Sequence, residues 1–200
     1  MRKLYIVHGW SYNPELWQAA IDELAKYDIE GVVLKVPGCS DGFGQEYHLQ
    51  DYIDWASENI PDSAVVLGHS NGGRIVLNCL ANNPGRAKSA ILLDPCGLYD
   101  TELNQKVYDI IIKETSSANE AKTFRNLMYE DINLNFDSIT EHVEVIWGQD
   151  DTLLPLEYGE RLAGKLQDCN LTVVPNWTHS GYKNPAEFAK LISEIYNKIA

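Results

Sequence analysis

The chain has 200 residues, 44% hydrophobic and 10% aromatic, which suits a globular domain and excludes a disordered segment. Its 16 Lys and Arg stand against 29 Asp and Glu, and a formal charge of −13 argues against a nucleic-acid partner. No apolar run reaches membrane-spanning length, and the apolar stretch after Met1-Arg2-Lys3 is too short for an export signal. A cytoplasmic protein without membrane insertion is therefore expected. Cys39, Cys79, Cys96 and Cys169 show no C-x-x-C spacing, so they read as reduced thiols and no metal site is expected.

Strand-like and helical patterns alternate along the chain. Residues 4–8 read as a strand, followed by a helix over 14–26 with Pro14 suited to its first turn. A second strand is expected at 32–36, ended by Pro37-Gly38, and a helix over 49–59 stops at Pro61. The apolar run at 64–69 shows no alternation, so that strand should be covered on both faces. A helix over 72–81 ends at Asn82-Asn83-Pro84-Gly85, and a strand at 90–93 closes at Asp94-Pro95. Further strands fall at 143–147 and 171–174, separated by a helix over 156–166, and a last helix runs over 185–199. This order predicts one α/β domain over 1–200. Its mostly parallel sheet of about six strands should have helices on both faces and right-handed crossovers. Residues 97–141 break the rhythm with two helical patterns, 101–115 and 118–130, where one crossover helix would suffice. The surplus is expected to form a short helical cap over the strand ends, where substrate selection commonly resides, the alternative being a second ordinary crossover helix.

The most informative run is Val65-Val66-Leu67-Gly68-His69-Ser70-Asn71-Gly72-Gly73, a buried strand that breaks into a G-x-S-x-G turn with a helix behind it. Such a turn projects one serine hydroxyl from a sharp bend, and its glycines allow backbone to press against neighbouring elements. Ser70 needs a base, because a hydroxyl is almost wholly protonated at neutral pH. His179 follows the last strand and lies at the same rim of the sheet. The base needs a carboxylate to fix its tautomer, and Asp151, after the strand at 143–147, is the candidate. Asp94, at another strand end, is the alternative acid and is otherwise read as a helix or turn cap. The oxyanion formed at an attacked carbonyl needs backbone N–H donors, expected from Asn71 and from Trp10 in His8-Gly9-Trp10-Ser11.

The remaining histidines and aromatics have plainer readings. His8 and His69 should be structural hydrogen-bonding groups, and His48 and His142 surface residues. Trp10, Tyr12, Trp17, Phe43 and Trp177 include rim positions suited to an acyl pocket, although Trp17 and Trp55 also suit packing of helices on the sheet. The segment Gly38-Cys39-Ser40-Asp41-Gly42-Phe43-Gly44 lacks the Lys-Ser/Thr ending of a phosphate loop and reads as a flexible rim loop.

These residues together resemble the α/β-hydrolase family. The resemblance rests on His8-Gly9 after the first strand, Gly68-His69-Ser70-Asn71-Gly72, and Gly148-Gln149-Asp150-Asp151-Thr152-Leu153-Leu154-Pro155. It extends to His179 ahead of Asn184-Pro185-Ala186-Glu187-Phe188. It implies Ser70, Asp151 and His179 as a catalytic triad in the order Ser, Asp, His, with Trp10 and Asn71 as oxyanion donors. The family pattern favours Asp151 over Asp150. The chain departs from larger members in that it begins at what resembles their third strand. The activity so implied is a serine hydrolase that cleaves a carboxylic ester or related acyl bond through an acyl-enzyme. Thioester, amide or carbon–carbon cleavage, acyl transfer and perhydrolysis use the same machinery and stay open, as does a non-catalytic ligand-sensing or interaction protein. The partner expected is a small-molecule acyl substrate, with no metal or organic cofactor, for a monomer or homodimer.

Overall fold

A computed structural model describes residues 1–10, 14–98, 100–130 and 134–200, with only the backbone of Pro14. The expectation for Tyr12 lies outside the described residues. Six parallel strands form one sheet in the order β2-β1-β3-β4-β5-β6. They are β1 (Arg2–Val7), β2 (Ile29–Val33), β3 (Ala64–His69), β4 (Ala87–Leu93), β5 (His142–Gly148) and β6 (Cys169–Val174). The connecting helices are α1 (Pro14–Ala25), α2 (Leu49–Asn59), α3 (Asn71–Asn82), α4 (Thr101–Ile111), α5 (Ala118–Tyr129), α6 (Leu156–Ala163) and α7 (Pro185–Ile199).

Alternation along each strand sends side chains into two cores. Leu4, Ile6, Val65, Leu67, Ile91 and Ile146 meet α1 and α7 on one face. Val7, Val66, Leu92, Val145 and Trp147 meet α2, α3 and α6 on the other. β3 is central and buried at all six positions, as its unbroken apolar run requires. Each wholly buried leucine or valine of this kind contributes about 1.5–3 kcal/mol of transfer free energy.

The second strand runs three residues earlier than the apolar pattern suggests, over Ile29–Val33. Among the described residues it is an edge strand paired with β1 alone, and pairing from Arg2–Ile29 to Ile6–Val33 fixes its register. Val36 is buried beyond the end of that strand, so its apolar character reflects core packing and not sheet pairing. The chain leaves β1 toward β2 on one side and returns to β3 on the other. The carboxyl ends of β1 and β3 therefore flank the topological switch point, where open α/β sheets bind ligands.

The two extra helices start where their capping residues dictate. Asp100 accepts from the Leu103 N–H to begin α4, and Ser117 Oγ accepts from the Glu120 N–H to begin α5. Helix α5 is tied to the body by polar contacts. The Tyr47 N–H donates to Thr123 Oγ1 at 2.9 Å, Asn126 Nδ2 donates to the Tyr47 carbonyl at 3.1 Å, and Arg74 donates to the Leu127 and Glu130 carbonyls. Arg74 is the charged residue of an otherwise buried α3 segment, and the C-terminal carbonyls of α5 supply its acceptors. The loop expected to be flexible at 38–44 is held as well. Asp41 Oδ1 accepts from the Gly38 N–H, and Asn119 Nδ2 of α5 donates to the Phe43 carbonyl.

Backbone approaches backbone closely at Gly72, where α3 rests on the end of β1. A Cβ there would lie 2.6 Å from the His8 carbonyl oxygen and closer still to that of Val7. Both are backbone atoms and cannot rotate away. Gly72→Ala is accordingly expected to lower unfolding free energy by about 2 kcal/mol or more, measured by denaturant titration. An unchanged midpoint would contradict this account of the β1–α3 contact.

Candidate active site

β3 ends in a bend that the rest of the sheet enforces. Ser70 has φ 53° and ψ −120°, a left-handed region rarely adopted outside glycine and costing about 1–3 kcal/mol. Its backbone is pinned on both sides. Its N–H donates to the Leu93 carbonyl at 3.0 Å, and its own carbonyl accepts from Gly73 at 3.0 Å and Cys96 at 2.9 Å. The side chain is thereby turned out of the strand and into a cavity of about 290 Å³.

His179 meets it there. Ser70 Oγ and His179 Nε2 are 2.8 Å apart, and His179 Nδ1 is 2.7 Å from Asp151 Oδ2. A carboxylate only accepts, so Nδ1 carries the proton and donates to Asp151. In the neutral ring Nε2 is left to accept from the Ser70 hydroxyl. The Asp151 side chain is wholly buried, and its other oxygen accepts from the N–H groups of Leu153 at 2.8 Å and Leu154 at 2.9 Å. Those bonds fix the carboxylate plane without supplying a competing cation. Asp150, its neighbour, is exposed.

Close backbone contact aligns the two loops that carry Asp151 and His179. The Asp150 N–H donates to the Trp177 carbonyl at 2.9 Å, and a Cβ on Gly148 would lie 2.5 Å from that same oxygen. His69 adds a further tie, its Nε2–H donating to the His179 carbonyl at 2.8 Å. Burial pushes the His69 imidazole down to about 3, so it stays a neutral donor. His8 is likewise pushed down to about 4 by burial, with Nδ1–H donating to the Gly9 carbonyl and Nε2 facing Ser40 Oγ at 3.3 Å. Both are structural hydrogen-bonding groups, as the strand pattern indicates.

Asp94 has a different place from either one expected for it. Asp151, not Asp94, meets the imidazole of His179, and Asp94 caps no helix. It sits at φ 42° at the end of β4, and its Oδ1 accepts from the Gly148 N–H at 2.7 Å. It thus clamps β4 to the end of β5, just before the Asp151 loop. It is fully buried, and its Oδ2 has no partner among the described residues. Burial, in the company of Asp151, raises its carboxyl to about 7.

Gly9, Trp10 and Asn71 line the cavity beside Ser70, which is where oxyanion donors would have to lie. Trp10 packs between Phe43, at 5.0 Å between ring centroids, and Phe124 of α5, at 4.8 Å. Val107, Ile111, Phe124 and Met128 from α4 and α5 form the apolar side of the cavity. Trp177, a rim candidate, is instead buried beneath α7, where its Nε1–H donates to Glu187. Trp17 is core and stacks on Tyr182 at 4.2 Å, while Trp55 is half-buried on α2. His48 is exposed and pairs with Glu130. His142 is half-buried, held between Glu144 and Asp168 at 2.9 Å from each. Sequence reasoning did not single out Cys96, whose Sγ is 4.0 Å from Ser70 Oγ, nor the lip residues Leu16, Tyr182 and Lys183. The signal for Lys183 was its place four residues after His179.

Among the described residues, no cluster of three or more His, Cys, Asp or Glu side chains is arranged to hold a metal ion. Nor is any helix there long and apolar enough to cross a membrane.

The family model for the alpha/beta hydrolase fold matches residues 3–113, more than half of the chain, and the protein belongs to that family. Pimeloyl-[acyl-carrier protein] methyl ester esterases of Salmonella heidelberg and Salmonella agona are each 31% identical over 96 residues. Each match spans 46% of this chain and 37% of the relative's length. An alpha/beta hydrolase enzyme from the metagenome of Mar Chica lagoon sediments superposes with a TM-score of 0.77 at 19% identity, covering 98% of this chain and 91% of that one. A thermophilic esterase from Thermogutta terrifontis gives 0.75 at 18% identity, covering 100% and 90%.

The buried ionisable groups set opposing pH limits on stability. His8 and His69 have lowered pKa values in the fold, so their contribution is intact above about 6.5 and is lost as pH falls through about 4 for His8 and about 3 for His69. Asp94 has a raised one, so the fold is favoured below about 4 and that advantage is lost as pH rises through about 7. Asp94→Asn should therefore gain stability over wild type progressively between pH 4 and 7, reaching on the order of 4 kcal/mol. Urea titrations across that range test this, and a pH-independent difference would refute the buried-charge explanation.

Proposed function

We propose that the chain is a serine hydrolase acting on a carboxylic ester or related acyl bond of a small-molecule substrate. The observation that carries this reading is the unbroken hydrogen-bond chain Asp151–His179–Ser70, opening on an apolar cavity. Ser70 Oγ attacks the substrate carbonyl carbon as its proton passes to His179 Nε2. The carbonyl π electrons move to oxygen, and the N–H groups of Trp10 and Asn71 receive the resulting oxyanion. Each such donor typically supplies about 3 kcal/mol of barrier lowering. Collapse of the intermediate breaks the bond to the leaving group, which takes the proton from Nε2 and departs as an alcohol. An acyl ester on Ser70 remains. Water then gives a proton to Nε2, attacks that ester, and releases the carboxylic acid as the proton returns to Ser70. Asp151 holds the Nδ1–H tautomer and stabilises the imidazolium in both halves.

Residues 97–141 act as a cap in this scheme, α4 and α5 supplying the apolar wall for the acyl group. The methyl ester esterase activity named for the partial relatives fits an ester carbonyl as the reacting centre. The high structural likeness to hydrolases and esterases supports the fold on which such a site is built.

Reaction with a fluorophosphonate probe tests the nucleophile. Wild type should label with one probe per chain and Ser70→Ala should not, read by intact mass. A folded wild type that fails to label would favour a non-catalytic binding protein. On a nitrophenyl acetate, Asp151→Asn should lower kcat by roughly 10³–10⁴, whereas Asp94→Asn should cost less than tenfold. Equal activity of Asp151→Asn and wild type would remove Asp151 from the mechanism.

A further inference from the structure

The cavity around Ser70 is chemically lopsided. Its cap side is apolar, built from Val107, Ile111, Phe124 and Met128. Its other lip is formed by Leu16 of α1 and by the segment that follows His179, including Ser180, Tyr182 and Lys183. Stacking of Tyr182 on Trp17 anchors that lip to α1. Lys183 alone among the described lining residues carries a permanent cation, and it has no ion pair among the described residues. It is exposed, yet its charge reaches far enough inward to help hold His69 neutral. An unpaired lysine at the mouth of the site contrasts with a chain whose formal charge is −13.

The side of the site that Lys183 faces follows from the direction of proton flow. In the proposed hydrolysis, on which this inference rests, His179 Nε2 returns its proton to the leaving group. The leaving group must therefore depart along the imidazole side of Ser70. Residues 180–183 follow His179 directly in the chain, and Ser180, Tyr182 and Lys183 line the cavity with it, whereas α4 and α5 supply apolar lining residues. We infer that Lys183 is a specificity residue for substrates whose leaving alcohol or thiol carries a carboxylate or phosphate, the acyl part being small and apolar. The cavity volume, near 290 Å³, is at the small end for ligand pockets and suits a short acyl chain. The anion stays at the solvent-facing lip, so no buried charge is created and the attraction is modest and screened by salt.

The test compares two esters with one acyl group, a nitrophenyl butyrate bearing a ring carboxylate and its isosteric ring carboxamide. Their shape is shared, and dividing each kcat/KM by that ester's own hydroxide-catalysed rate removes the difference in leaving-group reactivity and leaves the charge. Wild type should favour the carboxylate in kcat/KM by roughly fivefold at low salt, the preference shrinking toward unity at high salt. Lys183→Gln should bring the ratio to about one, Lys183→Glu should invert it, and Lys183→Arg should restore it. A purely structural role for Lys183 would move both esters together and leave the ratio where it was. An unchanged ratio in Lys183→Gln, or a wild-type ratio at or below one, overturns the inference while the hydrolase reading stands. Failure of wild type to cleave either ester overturns the hydrolase reading and this inference with it.

Discussion

The structure depends on one enforced bend. A fully buried central strand must turn at Ser70 into a helix that lies against the end of β1, and only a left-handed backbone at that residue makes the turn. The unfavourable conformation is held because Ser70 is hydrogen-bonded to β4 through Leu93, to α3 through Gly73 and to the next loop through Cys96. Gly68 faces the first turn of α3 and Gly72 the end of β1, and a Cβ added at either would meet backbone. The strain is thus over-determined by sheet and helix packing, and it leaves the hydroxyl where strand alternation alone could not aim it.

Around that bend, burial manages charge. Two imidazoles, His8 and His69, are kept neutral, and His69 uses its proton to hold the loop carrying His179. Asp94 clamps the end of β5 with one oxygen, and burial raises its carboxyl to about 7. Asp151 is the carboxylate that meets His179, and two backbone N–H groups hold its remaining oxygen. Two aspartates at adjacent strand ends thus have different surroundings. One contacts an imidazole and the other a backbone amide. That division explains why their removal should have different consequences, one for turnover and one for the pH dependence of folding.

Much of this was legible in the chain. The uninterrupted Val65-Val66-Leu67 run announced a strand covered on both faces, and glycine spacing around Ser70 announced the turn. Asp151 and His179 could be picked out because each follows a strand in a parallel sheet, and such sheets gather their strand ends on one rim. What was less legible depended on long-range packing. The register of β2 is set by β1, and the apolar Val36 blurred its end. Trp177 looked like a rim residue from its nearness to His179, but the loop turns it under α7. The clamp made by Asp94 and the place of Lys183 at the cavity lip are facts of three-dimensional proximity that no local pattern encodes. Arg74 was the overlooked clue, since a charge inside a buried helix must find acceptors, and the cap supplies them.

The central claim is that this bend delivers Ser70 to His179 as a working nucleophile. Rapid mixing with a nitrophenyl ester tests it most directly, by following nitrophenolate release and then mapping the quenched protein by mass spectrometry. The account predicts a burst near one equivalent per chain, with the acyl group on the peptide that contains Ser70. Turnover with acyl groups on another residue, or steady release from an enzyme never acylated at Ser70, would contradict it.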